Sequence, residues 1–438
     1  MTIHGGVQQL LESADFEPKE CIHETPTHGT PLLSGTGPIA VISSLTCQMH
    51  RLFPLYTDQP DGRMAPNVAA VDADDYREVE GKSEGKVGTP TADWKKQYAV
   101  VVTIDDIYAR VAKSIRDRCL TTQRVTEYLL VADKRKWVPV QKRATQELRA
   151  THTEPYPPGT VVHGNGLLVE NEEVGIQLER LMMTRELREP LYLQLQQRMP
   201  ADLQLRPFNI LCDLTHEAPV LFHQGQQRPV VKSEIRSIGE DDVTMVIHAR
   251  QLRETHAIFL DSVDRDSLAI LLLQHRSFRT NDLVLWFGDG RYIRPMEMAD
   301  KLISVGWTVL LWIELMALCG CDYVDKGLIS HGLGVPQLFA AGMAFLRARP
   351  DSVDLVQNKR DFRLWIRILY AHHYASQTKG DLDSIPSLAN LRALYEDKGW
   401  KRWAVPSNED IDTAYKQLRW VTLYWSSLSG SLFTFEGM

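Results

Sequence analysis

Short apolar runs closed by turn residues, with stretches of helical periodicity between them, constrain this chain more than any other feature. Residues 39–42, 98–102, 128–132, 209–212, 257–260 and 283–287 each have the length and composition of a buried strand. Amphipathic segments separate them. After Thr103 and Asp106, which are spaced as a capping box, Ile107, Val111 and Ile115 fall on one helical face. Strands alternating with helices need both faces of a sheet covered, so the pattern predicts an α/β fold: a mostly parallel central sheet flanked by helices. Gly288-Asp289-Gly290 joins residues 283–287 to 291–294 as a hairpin. Beyond Leu302 the periodicity is helical, clearest over 337–346, 362–374 and 410–418, and predicts a C-terminal helical region.

The 438 residues divide by composition into six stretches. Residues 1–56 read as the N-terminal part of a core, 57–97 as a flexible insertion, and 98–151 as core with a basic segment. Residues 152–208 read as a helical insertion, 209–335 as core with acidic motifs, and 336–438 as the helical region. Within 57–97, Gly81-Lys82-Ser83 invites comparison with a phosphate-binding loop, but Tyr76 stands where the first glycine of that loop belongs. In the helical insertion, residues 152–168 read as a Pro/Gly loop. Val174, Leu178, Leu181 and Met182 follow as an amphipathic helix expected to end near Pro190.

Charge and cysteine usage narrow the partners. The formal net charge is −7, so a nucleic-acid partner requires cations concentrated in one place. Lys134, Arg135, Lys136, Lys142, Arg143 and Arg149 supply such a run, although charge runs are also a common form of solvated helix face. Six cysteines without a CxxC pair suit neither a disulfide scaffold nor a zinc site and point to a reducing compartment. Residues 1–17 carry no signal-peptide pattern, so the expectation is a protein inside the cell, in nucleus or cytoplasm, with a viral source equally open. Residues 302–321 approach transmembrane length, but Glu314 lies among them and Ser304 and Gly306 interrupt them, which predicts a buried helix and no membrane association. Trp307 and Trp312 read as packing groups. The histidines, His372-His373 included, form no zinc pattern.

Acidic residues recur at the ends of the apolar runs. Asp133 follows 128–132, Asp264 and Asp266 follow 257–260, and Asp322 follows the long apolar stretch. In an open α/β sheet such positions lie beyond the carboxyl ends of strands, where ligand sites form. Carboxylates gathered there repel one another unless a cation joins them, and oxygen-only donors suit Mg²⁺ or Mn²⁺. Taken singly, each acid also fits a helix cap or a surface ion pair.

Four segments together resemble the flap-endonuclease (XPG-type, PIN-like) 5′ nucleases and their exoribonuclease relatives. Met1-Thr2-Ile3-His4-Gly5-Gly6 resembles the family's start, with residues 39–52 as its first strand and helix. Residues 128–149 resemble its second acidic strand and the cations behind it. Gly239-Glu240-Asp241-Asp242 with Asp264-Arg265-Asp266-Ser267-Leu268 resembles its paired acidic motifs. Cys319-Gly320-Cys321-Asp322-Tyr323 with Gly332-Leu333-Gly334 resembles its Gly-x-Asp-Tyr element and glycine-rich turn. The likeness covers roughly 1–52 and 128–340.

The resemblance implies a nuclease, dependent on Mg²⁺ or Mn²⁺ and using two ions, that hydrolyses phosphodiesters near a 5′ end, flap or junction of DNA or RNA. By position, Asp133, Glu240, Asp242, Asp264, Asp266 and Asp322 are the implied metal ligands, and Lys142 and Arg143 the cations on the scissile phosphate. Lys134, Arg135, Lys136, Arg149, Gly332 and Gly334 are the implied nucleic-acid contacts, and residues 152–208 the arch-like insertion. Asp241 and Asp261 fall out of register and read as supporting or exposed groups. The sequence departs from the family where the first strand ends in Ser43-Ser44 instead of an aspartate. Asp72 is the candidate replacement, and Thr2 stands where the family has glycine. The departure motivates the alternative of a catalytically degenerate scaffold that binds nucleic acid or protein without cleaving.

Overall fold

The computed structural model describes residues 22–24, 37–52, 56–58, 64–66, 76–78, 98–121, 124–133, 154–203, 208–215, 219–223, 226–229, 240–262, 264–278, 283–288, 291–319, 321, 323–324, 333, 335–379, 384–400 and 403–428. The chain divides into two units. One comprises Thr36–Val138 and Gln146–Ile258; the other comprises Met1–Gly35, Pro139–Thr145 and Phe259–Met438 and includes the first strand, β1 (Ile22–Glu24).

The unit built on Thr36–Val138 and Gln146–Ile258 opens with β2 (Ile39–Ser44) and α1 (Leu45–Leu52). Two antiparallel pairs come next in the sequence, β3 (Tyr56–Asp58) with β4 (Met64–Pro66), and β5 (Tyr76–Glu78) with β6 (Tyr98–Val102). α2 (Ile104–Thr121) is started by the expected capping box: the Thr103 N–H donates to Asp106 Oδ2 at 2.7 Å, and the Asp106 N–H donates to Thr103 Oγ1 at 3.1 Å. Its Ile107, Val111 and Ile115 are wholly buried, as the periodicity requires. β7 (Val125–Val131) returns parallel to β2, and β12 (Asn209–Asp213) parallel to β7. All six residues of β2 are buried, as expected for a strand covered on both faces. The register sets Ser44 opposite Val131 and Val131 opposite Asp213, so the carboxyl ends of the three parallel strands are level.

Between β7 and β12 lie β8 (Val161–His163), β9 (Gly166–Val169) and β10 (Glu172–Val174), an antiparallel meander, then β11 (Ile176–Gln177), which pairs with β6. α3 (Leu178–Met183) and α4 (Arg185–Leu203) follow. Two expectations are corrected here. Residues 161–163 and 166–168 of the expected loop are strand, and the helical segment does not stop at Pro190 but breaks at Thr184 and runs on through both Pro190 and Pro200. The reason is packing. Leu187, Leu191, Leu195 and Met199 recur every fourth residue and are all buried, and that apolar stripe outweighs proline's local cost. β13 (Val220–His223) and β14 (Gln226–Pro229) extend β12 antiparallel, and α5 (Asp241–Leu252) closes the unit. β15 (Ala257–Asp261) starts here, the Ala257 N–H donating to the Pro38 carbonyl. The α/β class and the mostly parallel central sheet are therefore as expected, with antiparallel strands added to the parallel ones.

In the other unit, α6 (Arg265–Leu273) follows β15, and β16 (Leu283–Gly288) and β17 (Arg291–Ile293) form the expected hairpin, with β1 antiparallel to β17. α7 (Pro295–Ser304) and α8 (Val309–Leu318) split the long apolar stretch at Gly306, whose φ of 89° suits glycine. They are bent by 105°, and no single described helix is long and apolar enough to cross a membrane. The helical region contributes α9 (Val335–Ala348), α10 (Lys359–Thr378), α11 (Leu388–Asp397) and α12 (Asn408–Ser427). Trp307 and Trp312 are buried edge-on against Phe339, the packing role expected of them. A Cβ at Gly342 would lie 2.6 Å from Leu315 Cδ1 and 3.0 Å from the Trp307 ring. Gly342→Ala is therefore expected to destabilise by about 1–3 kcal/mol despite alanine's better helix propensity. A urea midpoint equal to or above the wild type's would contradict that reading of the α8–α9 contact.

Candidate acidic site

In the unit built on Thr36–Val138 and Gln146–Ile258, chemistry-bearing side chains gather where the parallel strands end. Ser43 and Ser44 are both 0% exposed, and strand alternation sends them to opposite faces. Ser43 Oγ accepts from the Tyr128 hydroxyl at 3.0 Å, and the Gln48 amide donates to that hydroxyl at 2.7 Å. Ser44 Oγ donates to Asp241 Oδ2. Ser44 is thus the residue of the pair that meets the acids.

The segment leaving β7 carries Asp133. Its Oδ1 accepts from the Asp241 N–H at 3.2 Å, and its Oδ2 lies 3.8 Å from Arg188 Nη1 on α4. Asp241 Oδ1 accepts from the Asp242 N–H at 2.9 Å. Glu240, Asp241 and Asp242 are only 2%, 5% and 7% exposed and stand at the first turn of α5, where the helix dipole favours negative charge. The Glu240 carbonyl starts the helix by accepting from the Thr244 N–H and hydroxyl. Burial pushes the Tyr192 hydroxyl up to about 12, with Arg188 drawing it down and Asp133 and Asp241 adding to the rise. Tyr192 and Arg188, one turn apart on α4, thus both face this cluster.

Of the two readings left open for Asp241, supporting or exposed, the structure gives a buried group. It is bonded to Ser44 and Asp133, because the helix starts at Asp241 and turns all three acids inward. Asp213, level with Ser44, is also buried and lies 3.1 Å from His248 Nε2 on α5. Burial and the Asp213 charge together push the neighbouring Cys212 thiol up to about 12.

In the other unit, Asp264 caps α6 by accepting from the Asp266 N–H at 3.1 Å, while its own N–H donates to Ser262 Oγ at 3.1 Å. The Ser267 hydroxyl donates to Ser262 Oγ at 2.8 Å. Asp264 therefore fills at least the role of a helix cap. Asp261, read as a supporting or exposed group, is buried where it ends β15. Tyr323 packs against Trp420, Tyr424 and Trp425 of α12. Asp322, Gly332 and Gly334, the cations Lys134, Arg135, Lys136, Lys142, Arg143 and Arg149, and Asp72 lie outside the described residues.

The donors are carboxylates throughout, the hard oxygen chemistry that suits Mg²⁺ or Mn²⁺. Asp133 and Asp241 are brought into contact. Among the described residues, no three His, Cys, Asp or Glu side chains are grouped as a metal ion requires. Arg188, Tyr192 and the Asp213–His248 pair were not singled out by sequence reasoning, and Ser44 was noted there only as a missing charge. For Arg188 a signal exists: with Tyr192 and Leu195 it is spaced i, i+4, i+7 on the buried stripe of α4, an unusual place for a guanidinium. No family model matches this chain, and no curated protein matches it either.

Proposed function

We propose that the chain is a divergent flap-endonuclease-like (PIN-like) nuclease, hydrolysing phosphodiesters near 5′ ends or at single-strand/double-strand junctions with the help of Mg²⁺ or Mn²⁺. The observation that carries this reading is the contact of Asp133 with Asp241 at the level carboxyl ends of β2, β7 and β12, the place where α/β sheets hold ligands. A bound dication would activate a water and stabilise the leaving oxygen. By resemblance, Asp133, Glu240 and Asp242 in this unit are assigned to a metal ion, and Asp264, Asp266 and Asp322 carry the same assignment. Ser44 orients Asp241 through its hydroxyl, and the helix start at Glu240 fixes the acids against the strand ends. Lys142 and Arg143 are assigned to steady the phosphate.

A second reading has its own support. Ser44 occupies the first-strand position without bringing a charge, and Arg188 lies beside Asp133, so a protein that keeps the fold and binds nucleic acid or protein without cleavage is the competing proposal. A labelled 5′-flap or hairpin substrate, incubated with Mg²⁺ and with Mn²⁺, separates the two. Cleavage that disappears in Asp133→Ala and in Asp264→Ala supports the nuclease. Retention of the substrate without cleavage under both metals supports the scaffold and overturns the nuclease.

A further inference from the structure

In the C-terminal helical region several ties between helices meet at one buried histidine. His373, on α10, is only 4% exposed, and its Nδ1 lies 2.7 Å from the Tyr395 hydroxyl of α11. That hydroxyl donates its single proton to the Tyr370 carbonyl at 2.9 Å, so toward His373 it accepts, and the neutral imidazole carries its proton on Nδ1. Aromatic rings enclose it: Tyr395 stacks at a centroid distance of 5.9 Å, and Trp403 and Trp400 meet it edge to face at 5.0 and 6.2 Å. We propose that His373 is an acid-sensitive latch: as a neutral ring it fastens α11 and the turn after it to α10, and on protonation between about pH 7 and pH 5 it lets them open as one piece.

The piece that opens is held together by its own bonds. The Trp400 N–H donates to the Tyr395 carbonyl, the Trp403 N–H to the Trp400 carbonyl, and the Arg392 guanidinium to the Pro406 carbonyl. Its ties to α10 lie beside His373, where Tyr370 and Tyr374 pack on Tyr395, and Tyr374 also on Trp400. Just before α11, Arg367 of α10 grips the Ile385 and Pro386 carbonyls; a guanidinium keeps its charge throughout this pH range, so that grip is the hinge.

Protonation works against the closed state because the imidazolium keeps its bond to Tyr395 but gains a second N–H at Nε2, for which no hydrogen-bond partner exists among the described residues. No described carboxylate pairs with the ring either. Glu396 and Asp397 of α11 are exposed, Asp361 of α10 pairs with Arg349, and Asp412 of α12 pairs with Lys359 and Arg363. The cations His372, Lys398 and, on α9, Arg347 are exposed. Burial raises the Tyr395 hydroxyl further above its ordinary value, so it stays neutral, and burial lowers the His373 pKa. The closed state thus binds the proton less tightly than the open one. Its advantage is full above the ordinary histidine range and is lost as pH falls through that range to the lowered value.

Amide hydrogen exchange of the full-length protein, read by mass spectrometry at about pH 7.5 and pH 5.5 and corrected for the intrinsic rate, tests the latch. Peptides from α11 are expected to exchange several-fold faster at the lower pH, up to about tenfold, the proton-binding advantage of a free imidazole one unit below its ordinary value. Peptides from α8 are expected not to accelerate. His373→Gln keeps an amide to donate to Tyr395 and has no proton to gain, so the acceleration should vanish; His372→Gln, at the exposed neighbour, should retain it. If His373→Gln fails to fold by circular dichroism, ¹⁵N shifts of labelled histidine in the wild type decide: His373 should show the Nδ1–H tautomer when neutral and titrate below the ordinary histidine value. Equal corrected rates for α11 at both pH values overturn the latch. So does acceleration that persists in His373→Gln, acceleration shared equally by α8, or a His373 ring that titrates at or above the ordinary value.

Discussion

Asp213→Ala is expected to lower the folding stability by about 3 kcal/mol, the cost of removing one partner of a buried hydrogen bond to a carboxylate. Asp213 Oδ2 and His248 Nε2 are 3.1 Å apart with 0% and 2% of their side chains exposed, so water cannot replace the lost partner. The pair joins the end of β12 to the middle of α5, the helix that begins with Glu240, Asp241 and Asp242. Losing it therefore loosens the helix that presents the acids as well as the fold. His248→Ala is expected to cost a similar amount, because it removes a hydrogen-bond partner from a wholly buried carboxylate. The double variant Asp213→Ala, His248→Ala should cost distinctly less than the two losses added, since the contact between the two side chains is then lost only once. Urea denaturation of the four proteins gives the coupling directly. Additive losses, or a single variant within about 1 kcal/mol of the wild type, would show that the pair is not the fastening between β12 and α5.

How far the sequence alone reaches can be read from these same elements. The parallel strands were legible because runs such as Ile39-Ala40-Val41-Ile42 and Tyr128-Leu129-Leu130-Val131 are apolar on both faces, which only a covered strand or helix interior tolerates. The start of α2 was legible because a capping box is a local device, fixed by residues three apart. α4 was not, because local proline chemistry and non-local packing pulled in opposite directions and packing prevailed at Pro190. Asp133 was noted as an acid closing an apolar run, and Glu240 and Asp242 were singled out only through the resemblance. Asp241 was left between a supporting and an exposed role because motif register assigns alternate residues, whereas the first turn of a helix turns neighbouring residues inward together. Ser44 was noticed only as a missing charge; that its hydroxyl serves Asp241 depends on the pairing of β2 with β7 and on where α5 begins, and neither is local information.

Glu314→Gln is expected to flatten part of the pH dependence of stability and to leave the protein more stable than the wild type at neutral and alkaline pH. Glu314 lies in the middle of α8, wholly buried, and its Oε2 accepts from the Leu355 N–H at 2.6 Å. Its Oε1 has no hydrogen-bond partner among the described residues. Burial raises the carboxyl well above its ordinary value, the Asp354 charge adds to the rise, and the Leu355 and Val356 N–H groups oppose it. A carboxyl raised in the folded state binds its proton more tightly there than in the unfolded chain. Its stabilising contribution is therefore full below the ordinary glutamate range and is lost as pH climbs from that range to the raised folded value. Glutamine keeps an oxygen for the Leu355 N–H and has no proton to lose, so the difference between variant and wild type should grow in the variant's favour across that window. Asp354, also raised chiefly by burial, is present in both proteins and cancels in the difference. Glu314→Ala separates charge from hydrogen bonding: it strands the Leu355 N–H and leaves a cavity, and should cost about 2–5 kcal/mol at pH 5, where the Gln variant stays close to the wild type. Denaturant titrations of the three proteins from pH 5 to pH 8.5 decide the matter. If wild type and Glu314→Gln keep a constant gap over that range, the carboxyl does not titrate with folding, and α8 carries a buried charge that some other group balances.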